Sequence, residues 1–559
     1  MKVLSAEGAR ELDARTIAAG TPGIVLMERA AAAVVREVLR ALAARPERGV
    51  AAVVLAGTGN NGGDGFEVAR LLQGRVPVET LLVGDRGRLA GDAAITFQRL
   101  VESGGSITTV RESRDLEKLR RATLVVDALF GTGLSRPIGD GVAAEAVGSL
   151  SRYAAYVVAV DIPSGLPAGS GEVWSPHVVA DLTVTFGMPK RAHVELPAAA
   201  ECGRMVVADI GLLPFDGEGE GLEAVTARDV APLFPRRPAA AHKGTFGRVA
   251  VLGGSPGMVG APALAARAAL RAGAGLVTVL APEPVRAGVH ALCPECTTLP
   301  LYEKVGRAGR RRLGGGDLRG DDSRRLDDHS RRLGGGDLRG DDSRRLDDHS
   351  RRLGGGDLRG DDSRRLDVYD SLAVGPGLGP GEEARKLLTR ALAAEVPAVF
   401  DADALNLAGG RPELFASRTA PTVLTPHPGE AARLLGTDTA AVNAARVESA
   451  RELARRSGTT VVLKGFRSVV AGPGGRAELV LAGNPGMASG GAGDVLTGIA
   501  GAFLARGFSA WDAARAAAFL HGAAGDLARE RLGEEALIAG DLVERLGDAF
   551  WLLRETVLA

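Results

Sequence analysis

Short apolar runs alternate along the chain with longer stretches of helical periodicity. Residues 5–44 read as helices, and the segment LMERAAAAVVREVLRAL (26–42) carries an apolar stripe. Buried strands follow at AAVVLAG (51–57), VETLLVG (78–84), the start of TLVVDALFGTGLSRPIGDG (123–141) and the start of YVVAVDIPSGL (156–166). Continuous apolar runs of this kind suit a parallel sheet covered by helices on both faces. A second β-α rhythm begins at HKGTFGRVAVLGG (242–254) and passes through a small-residue helix at 261–272 to LVTVLAP. It resumes at DSLAVGPGLG (370–379), AVFDADALNL (398–407), TVLTPHPGEAARLL (422–435) and TVVLKGFRSVVAG (460–472), and ends on an apolar helix after Asp494. The pattern predicts an α/β protein with two domains, 1–220 and 221–559. Residues 214–235, rich in Gly and Glu and then bounded by Pro, read as the linker between them.

One stretch breaks the pattern. The 20-residue unit RRLGGGDLRGDDSRRLDDHS occurs at 311–330 and 331–350, and again in shortened form at 351–366. Each unit has leucine as its only apolar type, with no aromatic or β-branched residue, so it cannot bury enough surface to offset chain entropy. Its Asp spacing fits no EF-hand. Residues of about 305–367 are therefore expected to be a disordered insertion in a surface loop, a tolerable change because loop closure costs little per added residue.

Composition narrows the class. The chain has 559 residues, with 68 basic and 68 acidic side chains, so bulk charge gives no sign of a nucleic-acid partner. Three cysteines exclude a disulfide framework, and Cys293 and Cys296 spell CxxC without the second pair that a zinc site needs. The start does not resemble a signal peptide, and no apolar run is long enough for a membrane span. A cytoplasmic protein without membrane contact is expected, acting on small molecules as a homo-oligomer.

The candidate chemistry lies in the loops. GNPGMASGGAGDVLTG (483–498) gathers glycines around Asp494 just before a helix, so backbone N–H groups and the helix end can receive a phosphate. An Asp there repels a phosphate, but it makes sense as a base for a hydroxyl attacking a phosphoryl group. The alternative is a glycine-rich turn with Asp494 as the helix N-cap. TGNNGGDGFEVARLL (58–72) follows a strand and enters a helix in the Rossmann-like manner, though it is neither GxGxxG nor a Walker loop. Asp127 and Asp161 end strands, and both belong at the carboxyl edge of the sheet beside Asn61 and Ser164. Each alone could be an ordinary N-cap.

GNNGGDG, DALFGTGLSRP, DIPSGL and ADLTVTFGMPKR, in this order, resemble the NAD(P)H-hydrate epimerase domain over roughly residues 1–215. The resemblance implies that Asn60, Asn61, Gly62, Gly63 and Asp64 contact a hydrated dinucleotide. It adds Gly131, Thr132, Gly133, Leu134, Ser135, Arg136 and Pro137, together with Asp161. Asn61, Asp127 and Ser164 match the family's potassium ligands, and oxygen donors of this kind suit a hard monovalent cation. The implied reaction inverts the hydrated carbon of the nicotinamide ring. Asp161 is the first candidate for the proton carrier, and Lys190 the second.

HKGTFG, GPGLG, DADALN, TPHPGE, LKGFRS and GNPGMASGGAGDVLTG together resemble the ADP/ATP-dependent NAD(P)H-hydrate dehydratases, whose fold is ribokinase-like. The resemblance implies that Lys464, Gly465, Phe466, Arg467, Ser468 and Gly493 bind the nucleotide. It assigns Ala261, Gly377, Gly379, His427 and Asp494 to the hydrate. Asp494 would take the hydroxyl proton, ADP with Mg2+ would supply a phosphoryl group, and the phosphate ester would then leave. The remaining alternative is a ribokinase-type small-molecule kinase fused to a non-catalytic dinucleotide-binding module.

Overall fold

The structure, a computed structural model, describes residues 1–44, 51–150, 155–215, 222–301 and 366–558. The expected repeat insertion and the boundary at 220/221 fall outside the described residues.

The first helices are α1 (Ala6–Ala18), capped by Ser5, and α2 (Gly23–Ala43). They lead to a parallel sheet of β1 (Ala52–Ala56), β2 (Val78–Val83), β3 (Ile107–Val110), β4 (Leu124–Ala128), β5 (Tyr156–Val160), β6 (Leu182–Phe186) and β7 (Arg204–Ala208). The strand order is β3-β2-β1-β4-β5-β6-β7. α3 (Asn60–Leu72), α4 (Gly91–Glu102) and α5 (Val142–Leu150) connect strands. Separate apolar cores fill the two faces, so the doubly wound expectation holds.

The second sheet has ten strands in the order β11-β10-β9-β12-β13-β14-β15-β16-β17-β8. These are β8 (Ala224–Val225), β9 (Arg248–Leu252), β10 (Leu276–Ala281), β11 (Thr297–Pro300), β12 (Ser371–Val374), β13 (Ala398–Phe400), β14 (Thr422–Leu424), β15 (Thr460–Leu463), β16 (Val469–Ala471) and β17 (Ala477–Val480). Only the β15–β16 and β16–β17 pairs are antiparallel. Helix Ala492–Ala505 crosses one face and packs tightly on helix Gly260–Arg271. Close approach is built in: a Cβ on Gly498 would stand 2.0 Å from the Ala265 carbonyl oxygen.

The linker reading needs correction. Residues 224–225 are a strand on the edge of the second sheet, and Thr226 and Asp229 form a capping box on the helical turn behind it. The edge of β17 offers unpaired backbone groups, and this outweighs the polar composition upstream. The chain start joins the same seam: Val3 N donates to Leu222 O and Ala224 N donates to Met1 O, while Leu4 bridges to Lys190. Buried Arg204 on β7 reaches Glu37 at 2.9 Å and Glu530 of the second domain at 2.7 Å. No helix of the described residues is long and apolar enough to cross a membrane.

Candidate active sites

In each sheet the strand order reverses once, between β1 and β4 and again between β9 and β12. At such a point neighbouring loops diverge and leave a crevice at the carboxyl edge of the strands. The expected site residues lie along the carboxyl edges of the two sheets, reaching outward from these crevices, with the Arg467 side chain as an exception.

In the first crevice the loop after β1 turns straight into α3 at Asn60. Gly62 is confined here, since a Cβ would come within 2.0 Å of the Gly57 carbonyl oxygen. Asn61 donates from Nδ2 to the Phe130 carbonyl at 3.0 Å. Asp127 is fully buried at the end of β4 and accepts from Ser164 Oγ at 2.7 Å and Ser164 N at 2.8 Å. Phe130 N in turn donates to Ser164 Oγ at 2.9 Å. Asn61, Asp127 and Ser164 are therefore brought together around the Phe130 carbonyl, none acting as a helix cap. Burial raises the Asp127 carboxyl to about 6, against the opposing hydrogen bonds from Ser164. The loop Gly131–Pro137 forms the rim, with Gly131 against Asn61 and Gly133, Ser135, Arg136 and Pro137 exposed.

Asp161 has φ +65°, a conformation that costs energy for a residue with a Cβ and persists only when neighbours enforce it. Three groups do so. Thr185 Oγ1 and Lys190 Nζ donate to its Oδ1 at 2.9 and 2.6 Å, and His193 Nε2 lies 3.0 Å from its carbonyl oxygen. Lys190 N donates to His193 Nδ1, so the ring proton sits on Nε2. Burial opposes ionisation of Asp161, but Lys190 and the Thr185 hydrogen bond outweigh it and hold the carboxyl below its ordinary value. Burial and the Lys190 charge keep His193 neutral by pushing it down to about 3. Lys190 is thus an interior ion-pair partner, not a surface residue.

In the second crevice Gly254 N donates to Pro376 O and Ser255 Oγ to Gly377 O, both at 2.9 Å. Gly377 packs toward Ala261, and Gly379 N donates to Asp403 Oδ2 at 2.8 Å. His427 caps helix Pro428–Leu435: its Nδ1 accepts from Gly429 N at 3.0 Å, while Glu430 accepts from His427 N at 2.8 Å. The ring remains half exposed at the mouth, and burial and Lys464 lower its pKa.

Asp494 lies in the first turn of helix Ala492–Ala505, whose N-cap is Gly491, so it is no cap. Burial, with the charge of Asp401 added, raises it to about 7 despite Lys464 nearby. A carboxyl at this value can accept a proton near neutral pH. Lys464 Nζ donates to Asp401 Oδ1 at 2.6 Å, and Thr497 Oγ1 to Asp401 Oδ2 at 2.7 Å. A Cβ on Gly493 would stand 3.0 Å from Lys464 Nζ, which places the glycine nest directly against this cation.

One member of the expected nucleotide loop points elsewhere. Arg467, 4% exposed and at φ +51°, turns inward, donating to Leu481 O and to Ala199 O of the first domain at 3.4 Å. Arg446 braces the loop backbone from the neighbouring helix: its Nη2 donates to Leu463 O and Lys464 O at 3.3 and 3.2 Å. Arg446 was not foreseen, because it lies on the helix before β15 rather than in the motif. Ser468 and Phe466 stay on the outer side of the loop, Ser468 donating to Gly465 O at 3.0 Å. Asp401 and Thr497 were missed as well. Asp401 carried the signal already used for Asp127 and Asp161, a carboxylate at a strand end. Cys293 and Cys296 are buried free thiols away from both crevices.

The chain is similar to several known proteins. A family model described as NAD(P)H-hydrate dehydratase matches residues 249–313 and 343–546. One described as YjeF-related protein N-terminus matches 23–192. A bifunctional NAD(P)H-hydrate repair enzyme of Moorella thermoacetica is 37% identical over 545 residues, covering 96% of this chain and 94% of its own length. The Escherichia coli enzyme of that name is 34% identical over 497 residues, covering 88% and 84%. A solved ADP/ATP-dependent NAD(P)H-hydrate dehydratase from Bacillus subtilis covers 60% of this chain and all of its own, at 27% identity and TM-score 0.46. The chain belongs to the family of bifunctional NAD(P)H-hydrate repair enzymes.

Proposed function

We propose that the first crevice interconverts the R and S epimers of hydrated NADH and NADPH, and that the second dehydrates the S epimer with ADP, yielding AMP, phosphate and the restored dihydropyridine. The observation that carries the second half is Asp494, a carboxyl held near neutrality at the start of a helix and beside Lys464. Its proton affinity suits removal of the hydrate's hydroxyl proton as that oxygen attacks the terminal phosphoryl group. First-turn N–H groups of helix Ala492–Ala505 and the Lys464 ammonium meet the charge that gathers on the phosphoryl oxygens. Phosphorylation turns hydroxide, a poor leaving group, into phosphate.

The nucleotide loop consists of Lys464, Gly465, Phe466 and Ser468 with Gly493, and Arg446 supports its backbone. His427, Ala261, Gly377 and Gly379 border the hydrate. The described residues contain no group of three or more His, Cys, Asp or Glu able to hold a metal, so Mg2+ would ride on the nucleotide phosphates, as this ion commonly does.

In the first crevice Asn60–Asp64 and the Gly131–Pro137 rim border the dinucleotide. Asn61, Asp127 and Ser164 offer all-oxygen donors around one point, which fits K+; the ion would supply fixed positive charge there. Asp161, oriented by Thr185, Lys190 and His193, moves the proton at the inverted centre. The enzyme works as a homo-oligomer in the cytoplasm.

The dehydratase half is tested with the purified S hydrate of NADH, ADP and Mg2+. Phosphate and reduced nicotinamide should appear in equal amounts. A stable phosphorylated product without restored nicotinamide would mean a kinase.

A further inference from the structure

We propose that Asp64 is the general acid of the epimerase crevice: it protonates the departing hydroxyl of the hydrate on one face, while the Asp161 carboxylate takes a proton from water entering on the other. The inference rests on reading this crevice as the epimerase site.

Asp64 sits at the start of the second turn of α3, after β1, whereas Asp161 follows β5. β4 lies between these strands, so the two carboxyls come from opposite sides of the crevice, about 10 Å apart at strand level. In this proposal the flat ring lies between them, with one carboxyl toward each face. The direction of Asp64 is fixed by its neighbours. Gly63 abuts Met27 and Ala93, and Gly65 abuts Ala128 and Val54. Those contacts occupy the packed sides of α3 and leave Asp64 partly open to the cleft.

The two carboxyls differ in their partners. Asp161 Oδ1 is bonded by Lys190 and Thr185, and its Oδ2 receives no hydrogen bond among the described residues. The Asp64 side chain has neither a hydrogen bond nor an ion pair among the described residues. The charged groups facing it are Asp161 and, on α1, Asp13; Lys190 is committed to Asp161, and His193 is neutral. Burial, with Asp161 and Asp13 added, holds the Asp64 carboxyl well above its ordinary value. Two carboxyls driven apart in this way take the roles of acid and base.

The step balances. The Asp64 proton joins the hydroxyl as the carbon–oxygen bond breaks, water departs, and the ring nitrogen's lone pair forms an iminium bond to the same carbon. Water then adds from the opposite face and leaves its extra proton on Asp161. Such a cation is electrophilic enough that a weak base suffices. The opposite epimer runs the sequence backward, so each carboxyl is acid for one epimer and base for the other. The hydroxyl oxygen exchanges with solvent in every turnover.

The test follows the R-to-S ratio of NADH hydrate without ADP, in the full-length protein. Asp64→Asn should lower kcat for epimerisation about 100-fold or more while KM stays within a few-fold. Asp64→Glu should recover to within about tenfold of wild type and retain the loss of rate at high pH. Dehydration of the S epimer by the same preparations reports folding and should be unchanged. Wild type in 18O-labelled water should label the hydrate during epimerisation. If wild type epimerises and Asp64→Asn does so within threefold, or if no label enters, the proposal is wrong. If wild type leaves the ratio unchanged, the epimerase reading itself fails.

Discussion

Replacing Asp494 by Asn removes a proton acceptor while preserving size and the start of its helix, and it should move activity and stability in opposite directions. Burial and the Asp401 charge raise this carboxyl from 3.8 to about 7. A rise of that size corresponds to about 4 kcal/mol against ionisation in the folded state, as a ceiling. The folded state therefore binds more protons than the unfolded chain between about pH 4 and pH 7, and wild-type stability falls as pH rises through that window. Above pH 7 the full cost is present. Asp494→Asn does not pay it, so the variant should be the more stable protein at pH 8, with the difference vanishing toward pH 4. Thermal unfolding of both proteins at pH 5 and pH 8 measures this. Dehydration should show the converse. Wild-type kcat should decline below about pH 7 as Asp494 is protonated, and the variant should lose about 100-fold or more at pH 8. A variant that retains a tenth of the activity, or gains no stability at pH 8, would refute the assignment.

Two other substitutions probe the same crevice. Lys464→Met strands the Asp401 carboxylate, 1% exposed, without its cation, and should cost about 3–5 kcal/mol in chemical denaturation. Arg467→Met removes the bonds to Leu481 O and Ala199 O, so it should destabilise the contact between domains yet leave the KM for ADP within a few-fold of wild type. A large rise in that KM would return Arg467 to the nucleotide site.

Strand and loop order were legible because both sheets are built from apolar runs ending in turn-forming residues. Asp127 and Asp161 could be placed at a crevice edge from position alone, since a parallel sheet puts the carboxyl ends of its strands on one side, whereas Asp494 was marked by the glycines before it and the helix after it. Side-chain direction could not be read that way. Lys464 and Arg467 stand three residues apart in one loop, yet one faces Asp401 and the other crosses to Ala199, because Arg467 adopts positive φ. Asp161 and Ala402 also have positive φ, and both lie at crevices where packing holds a conformation that a single sequence does not announce. Residues 224–225 escaped recognition because their partner, β17, lies more than 250 residues later. A short edge strand is defined by its neighbour rather than by its own composition.

The central claim is that one chain restores both epimers. The direct measurement supplies a mixture of R and S hydrates of NADH with ADP and Mg2+ and follows the return of reduced-nicotinamide absorbance. Complete recovery, faster than spontaneous epimerisation allows, is predicted for wild type, whereas Asn61→Ala should stop early at the S share. Wild-type recovery limited to the S share would contradict the claim for the first crevice, and no recovery with phosphate retained on an alcohol would contradict it for the second.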